Sequence, residues 1–140
     1  MNIRGVPEQG FVIFTAGQSP QVEDLLRFLH SGFAALLHQG MWRMISDLRE
    51  VETSGLSAQR LRRLVPLVRR AIEAAALDET VVFRMALVAR PGTLGQGIAR
   101  MIEGNLSGYP RLRIAVFEEV DTAARWLGLT DGWQQQIDAG

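Results

Sequence analysis

The chain contains no cysteine, which excludes a disulfide frame, a thiolate nucleophile and cysteine-held metal, and suits a reducing compartment. Lysine is also absent, so every basic side chain apart from His30 and His38 is arginine. That removes a P-loop lysine and any lysine Schiff base. Genomic base composition is the simplest explanation for the all-arginine usage. Formal net charge is zero, which withholds the long-range attraction that a nucleic-acid or anionic-membrane binder carries. Nucleic acid is therefore not expected as a partner. No stretch approaches the roughly 20 uninterrupted apolar residues of a membrane span, and the first residues, MNIRGVPEQG, hold no apolar core behind a basic start. A cytoplasmic protein without an integral membrane segment is expected.

What the chain does have is apolar content: 47% of its 140 residues are hydrophobic, enough for one domain over 1–140 with its own core. Asn2 to Val6 and Phe11 to Ala16 read as the arms of a β-hairpin around the turn residues Pro7-Glu8-Gln9-Gly10. Ser19-Pro20 is expected to start a helix, with the serine as cap and the proline at the first helical position. Its apolar face runs from Val22 to Leu37, and Gly40 is its stop. Met41 to Ser46 is the next strand, and Ser57 to about Leu77 the next helix. That helix has a stripe of Leu61, Leu64, Val65, Val68 and Ile72 opposite Arg62, Arg63, Arg69 and Arg70. Pro66 should kink or break it, because an interior proline removes a backbone hydrogen bond.

Thr80 to Ala89 reads as a central strand buried on both faces except at Arg84. Pro91-Gly92 ends it, and Thr93 to about Leu106 is a helix with Leu94, Ile98, Met101 and Ile102 turned inward. Leu112, Ile114 and Val116 form one face of a last strand, Asp121 is expected to cap a short helix carrying Ala124, Trp126 and Leu127, and the tail from Asp131 through Trp133 and Ile137 is expected either to add a docking helical turn or to fray. Helices alternating with strands imply right-handed crossovers and a mostly parallel, five-stranded α/β sheet covered by about four helices.

Three stretches carry a family resemblance: Ser46-Asp47-Leu48-Arg49 at the end of the second core strand, Gly97-Ile98-Ala99-Arg100-Met101 in the third helix, and Val116-Phe117-Glu118-Glu119 leading to Ala123-Ala124-Arg125-Trp126-Leu127. In order and spacing they resemble the STAS-like, or SpoIIAA-like, proteins, fold relatives of bacterial anti-sigma-factor antagonists. The resemblance implies a layered α/β fold and a regulatory or ligand-binding role without catalysis. Glu52-Thr53-Ser54-Gly55-Leu56 resembles the antagonists' Asp-Ser-Ser-Gly-Leu signature, which places Thr53 at the phosphoacceptor position. Threonine for serine, glutamate for aspartate and a shorter preceding loop depart from that pattern.

The candidate ligand- or partner-binding residues are Asp47, Thr53, Ser54, Arg90 and Arg100. Hydroxyls at Thr53, Ser54 and Ser57 precede a helix, where plain capping is the simpler role and a phosphate would meet a favourable dipole and Arg60. Asp47, Glu50 and Glu52 form a carboxylate cluster that needs convergence to bind a cation or work as acid and base. Gly92, Gly95 and Gly97 open a helix after a strand, but GTLGQG matches neither the dinucleotide nor the Walker spacing, and tight turning and close packing account for it more simply. Arg90 and Arg100 would favour a carboxylate or phosphate, with a surface ion pair to Glu103 the simpler role for Arg100. His30 and His38 fall about 80° apart around their helix and make no adjacent metal pair. No metal and no cofactor is expected.

These residues point to a non-enzymatic regulatory or ligand-binding domain that takes a protein partner or a small anionic or lipidic ligand, and a homodimer is compatible with it. Two alternatives are a phospho-regulated antagonist switched at Thr53 or Ser54, and a small enzyme with a pocket between Asp47, Thr53 and Arg90.

Overall fold

In the computed structural model, residues 1–75, 80–130 and 132–134 are described. Five strands, β1 (Asn2–Val6), β2 (Phe11–Thr15), β3 (Arg43–Asp47), β4 (Phe83–Val88) and β5 (Leu112–Phe117), lie side by side in chain order. β1 and β2 are antiparallel, and every other pairing is parallel. The hairpin closes through a single 3-10 turn, Pro7–Gln9, and Gly10 takes φ 68°, which glycine adopts at little cost.

Crossovers of one hand between strands that always advance in the same direction must stack on the same side of a sheet. The three crossover helices do so: α1 (residues 22–38), α2 (Ala58–Ala75) and α3 (Leu94–Leu106) share one core with Val12, Phe14, Met44, Met85 and Leu87. Helix α4 (Val120–Trp126) crosses to the opposite face, where Ala123, Ala124, Leu127 and Trp133 cover Phe11, Ile45, Ala86 and Val88. Trp133 sits edge-on to Phe11 with ring centroids 6.2 Å apart, so the expected tail docking is present at that residue. Asp131, Ile137 and Leu77 lie outside the described residues.

Several sequence expectations need correction. The first helix begins at Val22 rather than at Ser19-Pro20, and no side chain caps its first residues. Ser19 instead accepts from Gln21 Nε2 at 3.2 Å, and Pro20 is buried. Helix α1 also changes pitch: Val22–Arg27 and Phe33–His38 are α-helical, but Phe28–Gly32 is a π-helical turn in which Phe33 N–H donates to Phe28 C=O. Ser31 Oγ donates to Arg27 C=O at 2.9 Å, competing locally for a carbonyl of the helix ladder.

Helix α2 runs unbroken through Pro66, so of the expected kink or break the break does not occur. Proline there is exposed, so water can serve the carbonyl that loses its donor. Leu94, expected to point inward, is 46% exposed, whereas Ile98, Met101 and Ile102 face the core as expected, the last two half-buried against it. The fully buried positions of α3 are Gly95, Ile98, Ala99 and Leu106. Asp121 lies inside the first turn of α4, whose cap residue is Glu119.

Candidate functional site

Between the sheet and the α1–α3 layer lies a cavity of about 110 Å³. Its floor is made by Phe14, Met44, Met85 and Leu87, its walls by Leu61, Leu64, Val65 and Val68 of α2 with Ile98 and Ile102 of α3, and its roof by Leu25, Phe28 and Leu29. Phe28 and Leu29 belong to the π-helical turn. Such turns insert an extra residue per turn and recur at functional sites. Here the widened turn stands over the void.

Only two of the lining residues, Ser46 and Asn105, are polar. Ser46 is the one buried polar side chain among the described residues, at 6% exposure, because strand alternation puts Met44, Ser46 and Leu48 on the same inward face. A cavity walled almost entirely by carbon but carrying a hydroxyl and a carboxamide can hold an apolar body and orient one hydrogen-bonding group.

The polar residues singled out from the sequence are arranged differently. Asp47 Oδ1 accepts from Arg49 N at 3.0 Å and from Arg49 Nε at 2.9 Å, while Oδ2 accepts from Arg49 Nη2 at 2.9 Å. The carboxylate is thus bound bidentately by the residue two positions on. The Arg49 guanidinium is held above its ordinary pKa, first by the hydrogen bond to Asp47, with burial opposing and the charges of Asp47 and Glu50 assisting. Asp47 faces the α4 side, beside Ile13, Ile45 and Trp133.

Thr53 belongs to the other side of the sheet. Its hydroxyl donates to Ser19 Oγ at 3.0 Å, and the 51–53 backbone is tied to the loop before α1 by Glu52 N–H and Thr53 N–H to Gln18 C=O, at 2.8 and 3.1 Å. Ser54 Oγ accepts from Leu56 N–H at 2.9 Å, Ser57 Oγ accepts from Arg60 N–H at 3.2 Å, and Arg60 Nη1 donates to Gly55 C=O at 3.0 Å. Capping and loop closure therefore use these hydroxyls. Asp47 and Thr53 do not face a common pocket.

The glycine turn before α3 also has a local explanation. Gly92 has φ 74°, Thr93 Oγ1 caps Gln96 N–H at 3.3 Å, and Gln96 Oε1 reaches back to Gly92 N–H at 3.0 Å, a reciprocal cap. A Cβ on Gly95 would stand 2.3 Å from Leu48 C=O, whereas nothing lies within 4 Å of one on Gly97. Gly95 is thus needed for close approach of α3 to the end of β3. Arg90 and Arg100 are exposed. Among the described residues the ion pairs are Arg27–Asp24 and Arg49–Asp47, so Arg100 does not pair with Glu103. His30 and His38 are both exposed, and among the described residues no three His, Cys, Asp or Glu side chains gather closely enough to hold a metal ion.

Sequence reasoning passed over the cavity because its lining reads as ordinary core. The available signals were a serine on the inward side of a strand, an asparagine between Ile102 and Leu106, and Ser31-Gly32 within an apolar helix. No described helix is long and apolar enough to cross a membrane. Compared with protein-family models, curated proteins and solved structures, the chain matches none of them.

Proposed function

We propose that this chain is a non-catalytic, cytoplasmic ligand-binding domain of regulatory type that takes a small, largely apolar ligand, or the end of an acyl chain, into the cavity between its sheet and its helices. The observation that carries the reading is the void itself: about 110 Å³, walled by aliphatic and aromatic carbon, with Ser46 and Asn105 as its polar groups. Close-packed interiors rarely leave gaps larger than a water, and a dry engineered cavity of about 150 Å³ takes up benzene. The resemblance of Ser46-Asp47-Leu48-Arg49 and its companion stretches to STAS-like proteins supports a passive role. So does the local engagement of Asp47, Thr53, Ser54 and Ser57, which leaves none of them paired as nucleophile and base.

The test is a thermal-shift titration with alcohols and fatty acids of increasing chain length. A ligand at about 100 times its Kd should stabilise the fold by about 2.7 kcal/mol, and the shift should vanish when Val65→Phe fills the space. Failure of every compound to raise Tm, or a shift unchanged by Val65→Phe, rejects the cavity as the site.

A further inference from the structure

The cavity reaches the surface along two boundaries of different character. Under α1 the half-buried lining residues are Leu25, Phe28 and Leu29, all apolar; at the seam between α2 and α3 they are Val65, Ile102 and Asn105. Asn105 is therefore the one polar lining residue that also meets solvent, since Ser46 is buried. Both helices cross between successive parallel strands on the same face of the sheet, so they lie side by side and run in the same direction. The cavity's polar wall thus opens between two parallel helices.

Two cations stand at that seam. Arg62 and Arg69, three residues before Val65 and four after it, share its side of α2. Both are exposed, and neither forms an ion pair with a described residue. Arg69 is turned toward α3: its guanidinium carbon stands 5.2 Å from the centre of the Tyr109 ring, and Tyr109 comes one turn after Asn105, its N–H donating to Leu106 C=O at 3.4 Å. A guanidinium held over an aromatic face keeps its N–H edge for an acceptor. Glu73, one turn along α2 from Arg69, accepts instead from the Tyr109 hydroxyl at 3.2 Å.

We infer that the ligand is a fatty acid in its carboxylate form, with its alkyl chain in the void and its head at the α2–α3 seam, between Arg69 and Asn105. The inference rests on the cavity being the binding site and adds which end of the ligand lies where. The chain takes the carbon walls, where leaving water is favourable for every methylene. The two carboxylate oxygens accept from the Arg69 guanidinium and from the Asn105 carboxamide N–H, and Arg62 adds to the positive potential one turn away. The opposite orientation would set the charge against Leu25, Phe28 and Leu29, where nothing on the lining can donate to it. One guanidinium and one carboxamide supply about the donors that a carboxylate uses, and fewer than a phosphate dianion calls for.

Isothermal titration calorimetry of the full chain at neutral pH with octanoate and 1-octanol, which share a chain and differ in the head, tests this. Wild type is expected to bind octanoate about tenfold more tightly than octanol, with the ratio shrinking as salt is added. Arg69→Gln and Asn105→Ala should each bring the ratio down to about threefold or less. Arg63→Gln, exposed on the far side of the same helix from Val65, should leave it near the wild-type value. Because a ratio is read, a loosened fold that weakens both ligands alike does not imitate the effect, and circular dichroism checks each variant. If a variant does not fold, the wild-type salt series still decides, since a preference that salt does not weaken overturns the inference. Octanol binding as tightly as octanoate overturns it and leaves the cavity reading standing. An octanoate preference that survives Arg69→Gln and Asn105→Ala, or tighter binding of monooctyl phosphate, does the same. If neither octanol nor octanoate binds, the cavity reading falls and this inference falls with it.

Discussion

Replacing Val65 by phenylalanine should make the protein more stable, the reverse of what a larger side chain does in a filled core. Val65 is half-buried on α2 and lines the cavity of about 110 Å³. At about 24 cal/mol per Å³ an enclosed void of that size would withhold about 2.6 kcal/mol of packing energy, and because this cavity is partly open that figure is its upper bound. A phenyl ring recovers part of that, and after the loss of rotamer freedom a gain of about 1 kcal/mol is expected. For a domain of this size that is a rise of about 4 °C in Tm. Val12→Phe is the control. Val12 is fully buried on β2 in the same core but is not part of the cavity lining, so overpacking there should cost about 1–3 kcal/mol. Urea unfolding, with unchanged m-values confirming comparable end states, separates the two. If Val65→Phe destabilises as much as Val12→Phe, the space is not available to a side chain and still less to a ligand.

Three further substitutions have outcomes fixed by local geometry. Gly95→Ala should cost about 2 kcal/mol or more, because the new Cβ would meet Leu48 C=O at 2.3 Å, whereas Gly97→Ala, with nothing within 4 Å, should stabilise α3 by about 0.5–1 kcal/mol in denaturant titration. Thr93→Ala removes the hydroxyl that accepts from Gln96 N–H and should cost about 1 kcal/mol by the same assay. Tyr109 is the only tyrosine, and its pKa is raised above 10.0 by burial and then by the charge of Glu73 and the hydrogen bond to it, so the tyrosinate absorbance should rise with a midpoint above that of free tyrosine. Because the folded-state value is the higher one, its stabilising contribution is complete below the unfolded-state pKa and is lost as pH climbs through the folded one; Glu73→Gln should move the midpoint down, and an unchanged midpoint would contradict the contact.

The layered architecture was legible because each element carries a signal that tertiary contacts do not override. FVIFTA and TVVFRMALVA are rich in apolar and β-branched residues and hold two inner strands, although the second begins at Phe83 rather than Thr80, and the α2 stripe from Leu61 to Ile72 repeats at helical spacing. Helix starts were harder to place. Ser19-Pro20 has the composition of an N-terminus, but Ser19 is held by Gln21 and Thr53 and Pro20 is spent on the cavity wall, so the helix waits for Val22. Leu94 fits an inward periodicity, yet Gly95 packs against Leu48 and rotates the leucine out to solvent. Pitch change and void are properties of how layers meet, and no single stretch of residues encodes them.

Strand order explains why the polar residues at the strand ends do not assemble a pocket. In doubly wound sheets ligands bind where the order reverses, because neighbouring connections there leave to opposite faces and open a crevice above the strands. Here the order runs from β1 to β5 without reversal, and α1, α2 and α3 all pack on one face, so no such crevice is made. The loop after each strand then closes on its nearest neighbour: Asp47 on Arg49, Thr53 on Ser19, Thr93 on Gln96. What the one-sided arrangement does create is a long seam where three helices must cover a twisted sheet, together with an opposite face covered, among the described residues, by α4 and by Leu127, Leu129 and Trp133 after it. The gap in the seam follows from that asymmetry, and the proposed binding of an apolar ligand arises from it.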